Sequence, residues 1–327
     1  MIISRTPFRL SLVGGGSDLR EYYRTRPGAV VSMAINRHMY VTVNRRFDDS
    51  IRVSYTKTQI ANHVDDLEHG LIREALKRTG ITRGVEVTTI ADLPAGIGLG
   101  SSSTLTVGVL NALYAHKGVY ATPEKLARTA CEIEIDVLKR PIGKQDQYIA
   151  AHGAFQHIRF NSNGTVTVEP IICRPQSRQR LIDSLLLFYT GINRGAGSVL
   201  SEVRKNIQSV PAAAETLDKL VQLVEELLAM LLRGDLSGIG GLLDRSWVLK
   251  RGMGSRVSNG TLDRLYRLAL KAGAKGGKVS GAGGGGCLLL YVERGAQRSV
   301  RTAMQRRGLK EIRFDVDPDG SKIIFAG

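Results

Sequence analysis

Cysteine is scarce. Cys131, Cys173 and Cys287 stand far apart in a chain of 327 residues. An odd number without C-x-x-C spacing excludes a disulfide framework and a cysteine-based zinc site, and leaves buried thiols in a reducing compartment as the expectation. The six histidines contain no H-x-x-x-H pair, so no structural metal is expected. Aromatic residues make up only 6%, and there is no zinc finger, no RNP-type strand and no basic run longer than two residues. Nucleic acid is therefore not expected as the partner. No apolar run approaches the ~20 residues of a membrane helix. The longest are fragments such as Leu227–Leu232, and the start, Met1 to Pro7, lacks a signal-peptide layout. The expectation is a cytoplasmic protein with no membrane partner. Acidic residues are also in short supply. Thirty Asp+Glu against 46 Lys+Arg leave a formal charge of +16, spread over both halves of the chain, which points to anionic ligands.

Glycine is the residue in excess, 37 of 327 against about 7% in average usage. The surplus is clustered at Gly14–Gly16, at Gly96, Gly98 and Gly100, and at Gly276, Gly277, Gly281 and Gly283–Gly286. The middle window, Pro94-x-Gly96-x-Gly98-x-Gly100-Ser101-Ser102-Ser103, runs directly into a helical segment. The first turn of a helix carries unpaired N–H groups and partial positive charge. Glycines let a polyphosphate approach those groups, and serine hydroxyls can donate to phosphate or ligate Mg²⁺. The common phosphate motifs fail. Ala272 and Val279 stand where a P-loop needs Gly and Ser/Thr, and Gly281-x-Gly283-x-x-Gly286 precedes a strand where a dinucleotide site needs a helix. The protein-kinase signatures are absent.

Thr122-Pro123-Glu124 starts a helix expected to reach Leu138, with a cap, Pro in the first position and an acid in the first turn. Glu134 lies on or beside its apolar face, four residues from both Ala130 and Leu138. A carboxylate there is paired, holds a metal, or reaches solvent at the boundary. Twelve residues on, Asp146 stands beside Lys144. It can take a substrate hydroxyl proton while Glu134 holds Mg²⁺.

The remaining pattern alternates strands and helices. Strands are expected at Phe8–Val13, Val30–Ile35, Met39–Val43, Ile51–Tyr55, Gly84–Ile90, Phe155–Phe160, Thr165–Val168, Ser184–Thr190, Cys287–Val292, Ile312–Val316 and Ile323–Phe325. Helices are expected at Asp65–Thr79, from Ser101 to His116, and at Lys144–His152, Gly197–Val210, Ala213–Arg233, Leu236–Leu249, Asn259–Ala272 and Gln297–Arg307. Residues 170–183, polar and basic, suit a junction between domains. The class is α+β.

Taken together, these motifs resemble the GHMP kinases. Pro7–Asp18, Pro94–Ser103 and Lys278–Gly286 stand in the order of that family's three motifs and span nearly the whole chain. The resemblance implies an N-terminal ribosomal protein S5-like domain, placed at 1–175, and a ferredoxin-like C-terminal domain at 176–327, with the active site between them. It implies ATP and Mg²⁺, with Pro94, Gly96, Gly98, Gly100, Ser101, Ser102 and Ser103 holding the nucleotide phosphates and Glu134 with Ser102 holding the metal. Asp146 matches the catalytic aspartate, assisted by Lys144, and Arg9 the arginine facing the transferred phosphoryl group. Gly15, Gly16, Ser17, Asp18 and Gly283 fall on the acceptor side, where Arg20 and Arg194 are further candidate ligands. Gly14–Asp18, Asn44–Asp49, Ile51–Tyr55 and Gly143–Tyr148 are similar to D-glycero-D-manno-heptose 7-phosphate kinases, which phosphorylate the anomeric hydroxyl. A fucose-type 1-kinase shares much of the pattern. A basic nucleic-acid-binding protein on an S5-like fold is the competing class, but it has no need of Glu134 or Asp146. A homodimer is compatible with the reading.

Overall fold

The computed structural model describes residues 1–192 and 196–327, with no side-chain description at 196. In chain order it contains β1 (Ile2–Val13), α1 (Arg20–Tyr23), β2 (Gly28–Arg45), β3 (Ile51–Ser54), β4 (Thr58–Ala61), α2 (Gly70–Thr79), β5 (Val85–Ala91), α3 (Ser101–His116), α4 (Pro123–Cys131), α5 (Gln145–His152), β6 (Phe155–Phe160) and β7 (Val166–Pro170). There follow α6 (Pro175–Asp183), β8 (Leu185–Tyr189), α7 (Ala196–Ser209), α8 (Pro211–Arg233), α9 (Ile239–Arg251), α10 (Gly260–Lys271), β9 (Gly276–Val279), β10 (Cys287–Tyr291), α11 (Gln297–Gln305), β11 (Lys310–Glu311) and β12 (Lys322–Ala326).

The first sheet has the order β12-β1-β2-β5-β3-β4, with β6 also on β2 and β7 on β6. The two strands expected within 30–43 are one 18-residue strand. Its first half pairs with β6 and its second half with β5, while β1 runs alongside both. The second sheet is antiparallel, β11-β8-β10-β9. α3 packs on β1 and β2 and is buried nearly all round from Ser103 to Leu113, so it carries no polar face.

Four expectations change. The chain end returns to the first sheet, where β12 pairs with β1 (Ile2 opposite Ala326) and covers an otherwise open edge. A division that leaves 176–327 in the second domain therefore separates paired strands. Residues 170–183 hold β7's end and then α6, started by Pro175 and seated on Leu181 and Ile182; their polarity hid a narrow buried stripe. The strand expected at Ile312–Val316 reduces to Lys310–Glu311 and one bridge from Val316 to Ile35. The helix expected from Asp65 is a short 3-10 turn at Val64–Asp66, with α2 starting later behind His69. Among the described residues no helix is long and apolar enough to cross a membrane.

Candidate active site

A cleft opens where the three glycine windows meet. Gly15 and Gly16, then Gly96, Gly98 and Gly100, then Gly281 and Gly283 all line it, together with Arg9, Asp18, Ser101, Ser102 and Asp146. Gly96, Gly98 and Gly100 have φ of +79°, +81° and +79°, the left-handed region that favours glycine. A Cβ at Gly98 would lie 2.5 Å from the Ser280 carbonyl oxygen, and one at Gly281 2.7 Å from Gly98 Cα. The second and third windows thus touch backbone to backbone. Gly100 caps α3 with no side-chain hydrogen bond, and Gly100, Ser101 and Ser102 line the cleft, so the start of this 16-residue helix lies at its edge.

Arg9 projects from β1, buried, and Asp146 stands in the first turn of α5. Arg9 Nε donates to Asp146 Oδ1 at 2.7 Å and Nη2 to Oδ2 at 2.8 Å, while Nη1 donates to the Gly98 carbonyl at 2.7 Å. This two-pronged contact fixes the carboxylate's plane and ties the first motif to the second. Asp18 is buried beside it, accepting from Gly16 N–H at 3.0 Å and Gln145 N–H at 3.2 Å. Burial first, and then the neighbouring Asp146, push the Asp18 carboxyl up. Gly143 gives it room, since a Cβ there would lie 1.9 Å from Asp18 Oδ2.

Glu134 is fully buried. It sits in a π-helical turn, Glu132–Val137, that continues α4; such turns recur at functional sites. Ser102 Oγ donates to its Oε2 at 3.0 Å, Gln147 Nε2 donates to its Oε1 at 2.9 Å, and Arg140 stands 3.5 Å away. Burial pushes this carboxyl up, opposed by bonds from Ser103 and Gln147. Of the three readings open for Glu134 in sequence, solvent contact is excluded.

Other expected residues fall elsewhere. Lys144 turns away: its ammonium donates to the Gly164 carbonyl at 2.6 Å and lies 5.0 Å from the Tyr23 ring centroid. Arg20 is partly exposed and pairs with Asp136 at 2.6 Å. Ser17 is wholly buried, with its hydroxyl on the Gly14 and Ala29 backbone at 2.8 and 2.9 Å, so it shapes the turn rather than facing an acceptor. Pro94 opens the loop outside the cleft lining, and Ser103 is buried against Glu134. Arg194 lies outside the described residues.

Two lysines were not among the expected site residues. Lys250, on α9, lines the cleft, and its ammonium donates to the Gly281 carbonyl. Lys278, in β9, is buried and donates to the Leu12 carbonyl at 2.9 Å. Burial, with Arg9 next, lowers Lys250 to about 8, and burial pushes Lys278 well down. A signal for Lys250 existed. Leu243, Trp247 and Lys250 fall at i, i+4 and i+7 on one helix face, where a lysine interrupts an apolar stripe. Leu200, Val203 and Met253 complete an apolar wall opposite the carboxylates.

A catalytic-type carboxylate gripped by arginine, a glycine loop at a helix N-terminus and a buried acid against its serine together describe a phosphotransferase cleft. Residues 66–154 match the model of the GHMP kinases N terminal domain, and residues 213–310 that of the GHMP kinases C terminal. The chain belongs to the GHMP kinase family, whose phosphate donor is ATP, and has its two-domain α+β fold. It is 31% identical over 304 residues to the D-glycero-alpha-D-manno-heptose 7-phosphate kinase of Campylobacter jejuni, covering 89% of each chain. It is 26% identical to a bifunctional fucokinase/GDP-fucose pyrophosphorylase of Arabidopsis thaliana, over 95% of this chain and 31% of that one. Among solved structures, a D-glycero-D-manno-heptose 1-phosphate kinase from Bacteriodes thetaiotaomicron superposes with a TM-score of 0.84 at 26% identity over 100% of both chains.

Proposed function

We propose that this GHMP kinase transfers the γ-phosphoryl group of ATP to the anomeric hydroxyl of D-glycero-D-manno-heptose 7-phosphate, giving the 1,7-bisphosphate. The observation that carries the reading is the Arg9–Asp146 pair, with bonds of 2.7 and 2.8 Å, set between the acceptor-side turn and the glycine loop. Similarity to the Campylobacter jejuni enzyme supports the choice of sugar.

In this reading the phosphates of ATP lie along Gly96–Gly100 and the first turn of α3. The sugar meets Gly15, Gly16 and the carboxylate of Asp18. Asp146 takes the proton of the anomeric hydroxyl as its oxygen bonds to the γ-phosphorus. The bond from that phosphorus to the β–γ bridging oxygen breaks, and ADP leaves with the electron pair. Arg9 holds Asp146 in plane and presents positive charge to the transferred group.

The residues present fit Mg²⁺. Among the described residues no cluster of three or more metal-binding side chains forms a ready cage. Mg²⁺ is ordinarily held by one or two carboxylates together with substrate phosphates. Glu134 and Ser102 supply a buried carboxylate and a hydroxyl beside the phosphate loop, and the buried Gln147 Oε1 has no partner. Bound there, the ion would neutralise charge on the β- and γ-phosphates.

The test is ATP turnover against heptose 7-phosphate, unphosphorylated heptose, fucose, galactose and mevalonate. Heptose 7-phosphate is expected to give the highest kcat/KM. A higher value for fucose would replace the heptose reading with a fucokinase one.

A further inference from the structure

Arg9 and Lys250 line the reacting end of the cleft, with Lys278 buried behind them, and the reading above uses only Arg9. Arg9 is committed to Asp146. Lys278 is buried behind the wall with its ammonium on the Leu12 carbonyl. Lys250 remains. It comes from the second domain, is half-buried, and lines the cleft with its charged end on the carbonyl of Gly281, the residue packed against Gly98.

We propose that Lys250 is a catalytic cation that contacts the phosphoryl group in flight, delivered from the second domain to the place where the two glycine windows touch. The inference rests on the kinase reading of the cleft, and it does not depend on which acceptor is bound.

Three observations support the placement. The charged groups acting on Lys250 are Arg9, Asp18, Asp146 and the buried Lys278, which surround the nucleophile's position rather than the far end of a seven-carbon acceptor. Arg9 and Lys250 both line this junction, and burial with the neighbouring Asp146 pushes the Asp18 carboxyl up, which favours an arriving anion. Its one protein partner among the described hydrogen bonds is a carbonyl, which leaves ammonium protons for a second acceptor. During transfer, negative charge spreads over the phosphoryl oxygens and the leaving ADP, and a desolvated cation stabilises that charge more than water does. Burial and Arg9 hold the ammonium near 8, and an arriving phosphate would raise it, so Lys250 charges fully when the nucleotide binds.

Two measurements separate this from the acceptor assignment. Amine labelling of the native enzyme at pH 8, read at Lys250 by peptide mass spectrometry, needs no acceptor. A non-hydrolysable ATP analogue with Mg²⁺ is expected to slow labelling about fivefold or more, with ADP giving little protection. Equal protection by ADP, or protection by heptose 7-phosphate alone, would overturn the placement. In turnover, Lys250→Met is expected to lower kcat about 10²-fold with acceptor KM within about threefold. Above pH 8, kcat/KM for ATP should fall in the wild type and stay level in Lys250→Arg, which keeps its charge. A rise in KM confined to phosphorylated acceptors would move Lys250 to the sugar's own phosphate and refute the proposal. If the wild type ignores heptose 7-phosphate, the acceptor assignment falls and the labelling result still decides Lys250.

Discussion

The two walls of the cleft are made by different means. The first-domain wall is backbone and pinned carboxylates: a helix N-terminus, three left-handed glycines, and Asp146, Asp18 and Glu134 each held by hydrogen bonds. The second-domain wall is side chains on helices, Leu200 and Val203 from α7 and Lys250 from α9, joined by glycine backbone at Gly281 and Gly283. The first wall is held by its own hydrogen bonds, and the two walls touch where Gly281 packs against Gly98. Variants on the two walls should therefore fail differently.

The largest effect is expected on the first wall. Asp146→Asn should lower kcat by at least ~10²-fold while nucleotide still binds, read by steady-state kinetics and calorimetry. Near-normal turnover would remove Asp146 from its role.

Glu134→Gln should separate activity from stability. Activity is expected to drop about 10-fold or more, with a raised Mg²⁺ requirement. Burial pushes the Glu134 carboxyl above its ordinary 4.5. A group with a raised folded-state pKa contributes stability below the unfolded value that is lost as pH rises through the folded value. The Gln variant lacks that loss, so its Tm relative to wild type should climb with pH from about 4.5 upward. A relative Tm that falls over that range would contradict the desolvation argument.

At the seam between the walls, Gly98→Ala should cost about 1–2 kcal/mol for the left-handed residue alone, read by urea unfolding. Its Cβ, 2.5 Å from the Ser280 oxygen, should also lower kcat/KM. The smallest effect is expected for Lys144→Met and Arg20→Ala. Both side chains are engaged outside the cleft, so kcat/KM should stay within about threefold of wild type. A tenfold loss would show that one of them swings inward.

The contrast between the walls also explains what was legible in sequence. Gly96, Gly98, Gly100 and Ser102 could be read because a contiguous stretch fixes its own backbone shape and runs into a helix N-terminus. Glu134 could be read because a carboxylate at apolar helix spacing demands a partner, although the π-turn that aims it left no mark. For Lys144, adjacency to Asp146 in sequence says little about direction: at the start of α5 its side chain points toward Gly164 and Tyr23. Lys250 stands 104 residues beyond Asp146 in the sequence and reaches the same cleft only through packing of α9. The return of β12 to β1 was hidden for a similar reason: pairing between chain ends 326 residues apart has no local signature.

The most direct test of the central claim is phosphorus NMR of the product formed from ATP and heptose 7-phosphate. A new phosphorus resonance coupled to the anomeric proton, with the 7-phosphate retained and ADP formed in equal amount, is the expected result. Phosphate on any other oxygen, or ADP formed without a second sugar phosphate, would contradict it.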